Sequence, residues 1–82
     1  MKKVQFFTKE NCLLCDEAEV LLEAMQAVYP FLIEKIDIYE DDVLLEKYQI
    51  EIPVVKLGDV ELNSTQLTFE NLEAMLLKNE ME

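Results

Sequence analysis

Apolar and polar positions near the start of the chain alternate as they do in a β-strand. Val4 and Phe6 fall on one face of the segment 2–7, and Phe7 falls on the other. The polar residues at 8–11 then interrupt the pattern. We therefore predict a first strand over residues 2–7 that ends in a polar turn.

A long helical pattern follows this turn. Apolar residues recur every three or four positions up to about Tyr29, and Pro30 ends the pattern. Asn11 has a side chain suited to cap the helix, which would put Cys12 at the first helical position. The residues predicted to form the buried stripe of this helix are Leu14, Ala18, Leu21, Leu22, Met25, Val28 and Tyr29.

The middle of the chain contains a second strand and a short helix. Residues 31–38 are rich in β-branched and aromatic residues, and they follow a helical crossover, so this strand should lie parallel to the first. A short helix is predicted from Asp41 or Asp42 to about Tyr48. The residues predicted to pack inward from this helix are Val43, Leu44 and Tyr48.

The end of the chain is predicted to form a hairpin and a last helix. Residues 54–57 and 60–62 should pair as antiparallel strands around a turn at Gly58 and Asp59. Thr68 is placed to cap the last helix, and residues 78–82 are expected to fray. The residues predicted to face the sheet from this helix are Phe69, Leu72, Met75 and Leu76.

The predicted elements follow the order β-α-β-α-β-β-α. Parallel first strands and a C-terminal hairpin give an α/β domain with a four-stranded mixed sheet and three helices, placed on both of its faces. The 82 residues leave little room for a second core, so we predict one domain over residues 1–82.

Composition and charge exclude several classes of partner. Seven basic residues against eighteen acidic ones give a net charge of −11, which argues against nucleic acid and against anionic membrane surfaces. No apolar run approaches the roughly 20 residues of a membrane span, and the N-terminus fails as a signal peptide. We therefore expect a cytoplasmic protein with no membrane partner, and we expect it to be a monomer.

Two cysteines, Cys12 and Cys15, lie where the first strand gives way to the first helix. Residues three apart lie on one face of a helical turn, so the two sulfurs can approach bonding distance. Closing so short a loop stabilises a protein by only about 2 kcal/mol, against about 4.7 kcal/mol for a 100-residue loop. Because cytoplasmic disulfides are usually catalytic, this spacing predicts a thiol–disulfide redox site rather than a structural bridge.

Two segments of the chain resemble those of the glutaredoxins. The segment 7–15, FTKENCLLC, is similar to their active-site segment, and Ile52-Pro53-Val54-Val55 is similar to their cis-proline segment. The order and lengths of the elements match over nearly the whole chain. The resemblance implies a thioredoxin-like (glutaredoxin-type) fold and places the chain among small glutaredoxin-like or thioredoxin-like redoxins.

The predicted site combines the cysteine motif with the proline segment. Cys12 is the expected nucleophile, because its sulfur should be the more exposed and should lie at the helix N-terminus, and Cys15 is the expected resolving thiol. Lys9 would add positive potential, and Leu13 would offer an apolar contact to a substrate. The resemblance implies a cis bond before Pro53, which would turn the N–H and C=O of Ile52 toward the sulfurs, where they could pair with a substrate backbone.

The predicted activity is reduction of protein or small-molecule disulfides, with a reductase or glutathione as the electron donor. No bound cofactor and no metal are expected. The chain has Asn63-Ser64-Thr65-Gln66 where glutaredoxins often carry Gly-Gly and an acidic residue that hold glutathione, and Leu13-Leu14 where they usually carry Pro-Tyr. We therefore expect weak glutathione binding.

Two alternatives to a catalytic dithiol remain open. The first is a binding module that keeps the fold without catalysis. The second is a dimer that holds zinc or an iron–sulfur cluster, since one Cys-x-x-Cys supplies two of the four ligands that a closed zinc site needs.

Overall fold

The computed structural model describes residues 2–78. Its strands and α-helices, in chain order, are β1 (Lys2–Thr8), α1 (Leu13–Gln26), β2 (Phe31–Asp37), α2 (Asp42–Tyr48), β3 (Val54–Leu57), β4 (Val60–Leu62) and α3 (Phe69–Lys78). The predicted order is confirmed, and a short 3₁₀ helix at Ile38–Glu40, which the pattern did not indicate, precedes α2. Fraying was expected from residue 78 onward, but Lys78 is the last residue of α3, and residues 79–82 lie outside the described residues.

The four strands form one mixed sheet with the order β2-β1-β3-β4. β1 is parallel to β2 and antiparallel to β3, and β3 is antiparallel to β4. Phe7 of β1 is paired with Val54 of β3. Because these strands run in opposite directions, Pro53 lies beside Thr8, where β1 ends and the turn toward the cysteines begins. The sheet register thus brings the two sequence motifs together.

Both faces of the sheet are covered. Val4 and Phe6 point to one face of β1 and Phe7 points to the other, yet all three side chains are buried. The ring of Phe7 stacks on that of Tyr48 at the end of α2, with 4.5 Å between the ring centroids. α2 therefore covers the face to which Phe7 points.

Helix α1 is shorter than its apolar pattern predicts. It ends at Gln26 instead of continuing to Tyr29, and Val28 is exposed. Pro30 disfavours helical backbone at the residue before it, so the chain leaves the helix in a turn and Val28 falls out of phase with the stripe. The residues of α1 that are buried are Cys15, Ala18, Leu22 and Met25.

Two predicted core positions in the other helices are also exposed. Val43 and Phe69 both lie in the first turn of their helices, ahead of the residues that pack on the core. Thr68 caps α3 as predicted, because its hydroxyl oxygen accepts a hydrogen bond from the Asn71 N–H at 3.1 Å.

Candidate active site

Cys12 and Cys15 form a disulfide at the start of α1, with 5.2 Å between their Cα atoms. Cys12, not Asn11, is the N-cap of the helix: its backbone is extended, and its Sγ accepts a hydrogen bond from the Cys15 N–H at 3.1 Å. The prediction that Asn11 caps the helix is wrong. The Cys12 sulfur therefore accepts a hydrogen bond from one of the backbone N–H groups that a helix N-terminus leaves without a backbone partner.

Asn11 is instead the residue that reverses the chain before the cysteines. Its φ of 56° lies in the left-handed region, which asparagine tolerates better than other non-glycine residues. A residue with a Cβ and no local polar group should be strained there. The sequence offered a polar turn at this point but no signal for which of its residues would adopt the positive φ.

We expect Asn11→Ala to be less stable than Asn11→Gly by about 1 kcal/mol, because alanine resists a positive φ and glycine does not. Urea unfolding of the two oxidised variants measures the difference as a change in midpoint at constant slope. Equal midpoints, or a more stable alanine variant, would contradict the assigned backbone strain.

The two cysteines differ in accessibility. Cys15 is 1% exposed and belongs to the hydrophobic core, whereas Cys12 is half-buried and packs against that core. The helix N-terminus and the Cys15 N–H both direct positive partial charge toward the Cys12 sulfur, which favours a thiolate there. A molecule approaching from solvent thus meets Cys12 first.

Leu13 and Leu14 form the exposed start of α1, with 72% and 59% of their surface accessible. The prediction that Leu14 belongs to the buried stripe is wrong, because it lies at the flank of that stripe. Leu14 and Pro53 line the same groove, which has a volume of about 230 Å³. The other residues lining it are Glu17, Ala18, Leu21, Ser64 and Leu67. The groove joins the first turn of α1 to the proline segment.

The Ile52–Pro53 peptide bond is cis, as the resemblance implied, and both side chains are buried. The backbone N–H of Ile52, however, donates to the carbonyl oxygen of Tyr48 at 3.1 Å. The expectation that this N–H is available to a substrate backbone is therefore not met in the structure. The reason is a tight turn after α2, whose internal hydrogen bonds leave no trace in the hydrophobic pattern.

Lys9 lies in the wall of a separate open cavity of about 540 Å³, at the carboxyl ends of β1 and β2. The other residues lining this cavity are Thr8, Glu10, Asn11, Asp16, Lys35, Asp37 and Glu40. Lys35 is engaged elsewhere, because its Nζ lies 3.1 Å from Glu19 Oε1. The surroundings of Lys9 are therefore more acidic than basic, and it does not line the groove of Leu14 and Pro53.

In the part of the chain that the structure describes, no group of three or more His, Cys, Asp or Glu side chains is arranged to bind a metal ion. Within the same residues, no helix is both long enough and apolar enough to cross a membrane.

The family model of the glutaredoxin-like domain (DUF836) matches residues 3–81 of the chain. The chain belongs to this family. Its thioredoxin-like fold and its cysteine pair at the start of α1 are consistent with redox chemistry.

Solved structures are similar to this glutaredoxin-like domain over nearly its full length. Protein Ne2328 from Nitrosomonas europaea is 28% identical, with a TM-score of 0.78 over 92% of this chain and 91% of that chain. Protein XcR50 from X. campestris is 25% identical, with a TM-score of 0.71 over 92% and 96%. The oxidised thioredoxin from Plasmodium falciparum is 20% identical, with a TM-score of 0.68 over 93% and 78%, and this last likeness concerns the fold alone.

Proposed function

We propose that this glutaredoxin-like domain is a thiol–disulfide oxidoreductase that reduces disulfides of proteins or small molecules. The observation that carries the proposal is the cysteine pair at the start of α1. A half-buried Cys12 forms a disulfide with a buried Cys15, and the Cys12 sulfur accepts a hydrogen bond from the Cys15 N–H. Both cysteines and the adjoining groove come from one chain, so a single chain is the proposed active unit.

The proposed cycle has two exchanges. In the reduced protein the Cys12 thiolate attacks one sulfur of the substrate disulfide; a Cys12–substrate bond forms, and the other substrate sulfur leaves as a thiolate that takes a proton from water. Cys15 then loses its proton and attacks the Cys12 sulfur, which releases the second substrate thiol and forms the Cys12–Cys15 bond. Two electrons pass to the substrate, and a reductase or an external thiol such as glutathione must return them.

The substrate side of the proposal uses the surface around Cys12. Leu13 and Leu14 offer exposed apolar contacts, and Pro53 faces the same groove as Leu14. Since the Ile52 N–H is engaged, a substrate backbone would pair with the Ile52 carbonyl oxygen. Lys9 lies outside this groove and among mostly acidic residues, so the proposal assigns it no contact with the substrate.

The test is reduction of a disulfide-bonded peptide with dithiothreitol as the electron donor, and the rate is measured from the release of peptide thiols. The protein should accelerate the reaction in proportion to its concentration. A binding module with the same fold would bind the peptide and leave the rate at that of dithiothreitol alone, and this result would overturn the proposal.

Glutathione should be a poor ligand. The loop that precedes α3 bonds to itself: Asn63 Oδ1 accepts from the Thr65 N–H at 3.0 Å and from its hydroxyl at 2.7 Å, and Gln66 Oε1 accepts from the Asn63 N–H at 3.0 Å. These polar groups already form hydrogen bonds within the loop and are not free to bind glutathione. Calorimetric titration of the oxidised protein with S-methylglutathione, which has no free thiol to exchange with the disulfide, should show no saturable heat at millimolar concentration. Rapid turnover of a glutathione mixed disulfide would contradict this expectation.

A further inference from the structure

Tyr48 is a buried tyrosine whose contacts reach three parts of the molecule. It is the last residue of α2 and is 2% exposed. Its ring stacks on Phe7 near the end of β1, at an interplanar angle of 29°. Phe7 is followed directly by Thr8 and by the turn that leads to the cysteines at the start of α1. One side of Tyr48 is thus fixed against the strand that leads into the active site.

The hydroxyl of Tyr48 is anchored on the opposite side of the residue. It donates to Oε1 of Glu61, on β4, at 2.5 Å. Burial, and after it the hydrogen bond to Glu61, raise the pKa of Tyr48 above its ordinary value, so the hydroxyl keeps its proton at neutral pH. Lys47 Nζ lies 3.9 Å from the same carboxylate oxygen, but this pair is exposed and adds little.

The main chain of Tyr48 holds the segment that precedes the cis-proline. Its carbonyl oxygen accepts hydrogen bonds from the N–H of Glu51 at 2.9 Å and from that of Ile52 at 3.1 Å. The Glu51 carbonyl in turn accepts from the Ser64 N–H at 3.1 Å, which ties the loop before α3 to the same segment. The position of the Ile52 carbonyl therefore depends on where Tyr48 is held.

We propose that Tyr48 is a positioning residue: its side chain, held between Phe7 and Glu61, fixes its own carbonyl, and that carbonyl orients the Ile52–Pro53 segment toward a polypeptide bound at Cys12. The inference rests on the proposed reduction of disulfides. It makes recognition of the substrate backbone by Ile52 depend on a residue that lies outside the groove itself. Tyr48 touches neither sulfur in this assignment, so it acts only on substrates that reach Ile52.

The test compares two disulfides that differ in whether they have a backbone. Pre-reduced protein is mixed with a disulfide-bonded peptide or with 2-hydroxyethyl disulfide, and the rate constant of each reaction is measured. Tyr48→Phe keeps the ring and removes the hydroxyl donor. We expect it to lower the rate constant for the peptide about fivefold, which is the effect of losing one hydrogen bond of about 1 kcal/mol. The rate constant for the small disulfide should stay within about twofold of wild type.

Tyr29→Phe is the matched control. The Tyr29 hydroxyl also donates to a glutamate, Glu73 Oε2 at 2.6 Å, but it lies beyond the end of α1 opposite to the cysteines. Both variants should lose a similar amount of thermal stability, and only Tyr48→Phe should change the ratio of the two rate constants. Hydrogen exchange adds a direct readout, since the amides of Glu51 and Ile52 should exchange faster in Tyr48→Phe alone.

Glu61 variants keep the test decisive if Tyr48→Phe does not fold, because Glu61 lies at an exposed position. Glu61→Ala should lower the peptide rate selectively, and Glu61→Gln, which retains an acceptor, should restore most of it. An unchanged ratio of rate constants in folded variants would overturn the positioning role. Wild-type protein that reduces neither disulfide would instead overturn the proposed function, so the two failures are distinguishable.

Discussion

Cys15→Ser should stop the catalytic cycle at the mixed disulfide. Cys12 can still attack a substrate, but no second thiol is present to release it, so the substrate stays attached. Intact mass spectrometry after reaction with a disulfide-bonded peptide should show one added peptide per chain. The turnover measured with dithiothreitol should fall sharply, because release then depends on the external thiol.

Cys12→Ser is the matched control for this trap. Cys15 is 1% exposed and should not reach a substrate disulfide, so this variant should carry no peptide and should reduce disulfides no faster than dithiothreitol alone. Each variant loses the bridge, which contributes only about 2 kcal/mol for so short a loop, so both should remain folded by circular dichroism. A peptide attached to Cys12→Ser and not to Cys15→Ser would reverse the assigned roles.

The disulfide should be a weak oxidant, with a potential nearer the about −270 mV of thioredoxin than the about −120 mV of a periplasmic oxidant. A strong oxidant needs a very stable thiolate, because the thiolate stabilises the reduced form. The Cys15 N–H and the helix N-terminus favour the Cys12 thiolate. Carboxylates on the surrounding turns oppose it, and they belong to Glu10, Asp16 and Glu17, whereas the Glu19 carboxylate is paired with Lys35 at 3.1 Å.

The difference between those two potentials is about 150 mV, or about five powers of ten in the equilibrium constant, so the measurement is decisive. The protein is equilibrated with glutathione buffers of graded potential, and its oxidised fraction is read by mass after alkylation. Oxidised protein is expected in buffers poised well above about −270 mV. A pair that stays reduced there would contradict the electrostatic argument.

Charge reversal tests the cause of this poise. Glu17→Lys places a cation in the second turn of α1 and should raise the potential, more strongly at low salt. Glu46→Lys makes the same change of net charge on α2 and is the matched control. Equal shifts in the two variants would attribute the potential to net charge and not to the carboxylates beside Cys12.

Periodicity predicted the elements well because each of them has a burial pattern of its own. The strand at β1 alternates, the helix at α1 has a stripe, and Gly58 marks the hairpin turn between β3 and β4. Element ends were less predictable: Leu14 and Val28 both lie where a helix begins or ends, and there a fixed period no longer describes which side chain is covered.

The site was predictable in its chemistry and not in its hydrogen bonds. Spacing alone indicated that Cys12 and Cys15 would meet, and the disulfide confirms this. The contacts of Tyr48 could not be predicted, because they join a helix end, a turn and a distant strand through irregular backbone. Bonds of this kind depend on the three-dimensional register and have no signature in hydrophobic pattern or residue spacing.

The proposed redox centre and the proposed substrate groove depend on different parts of the chain, as the pairing of Phe7 with Val54 shows. The disulfide closes within one helical turn, so it depends only on contacts that are local in sequence. Pro53 lines the groove only because the pairing of β1 with β3 places this remote part of the chain beside the cysteines. A local opening that detached the β3–β4 hairpin would therefore leave a polypeptide whose cysteines can still form the disulfide when an external oxidant is present, but which has lost the proposed substrate groove.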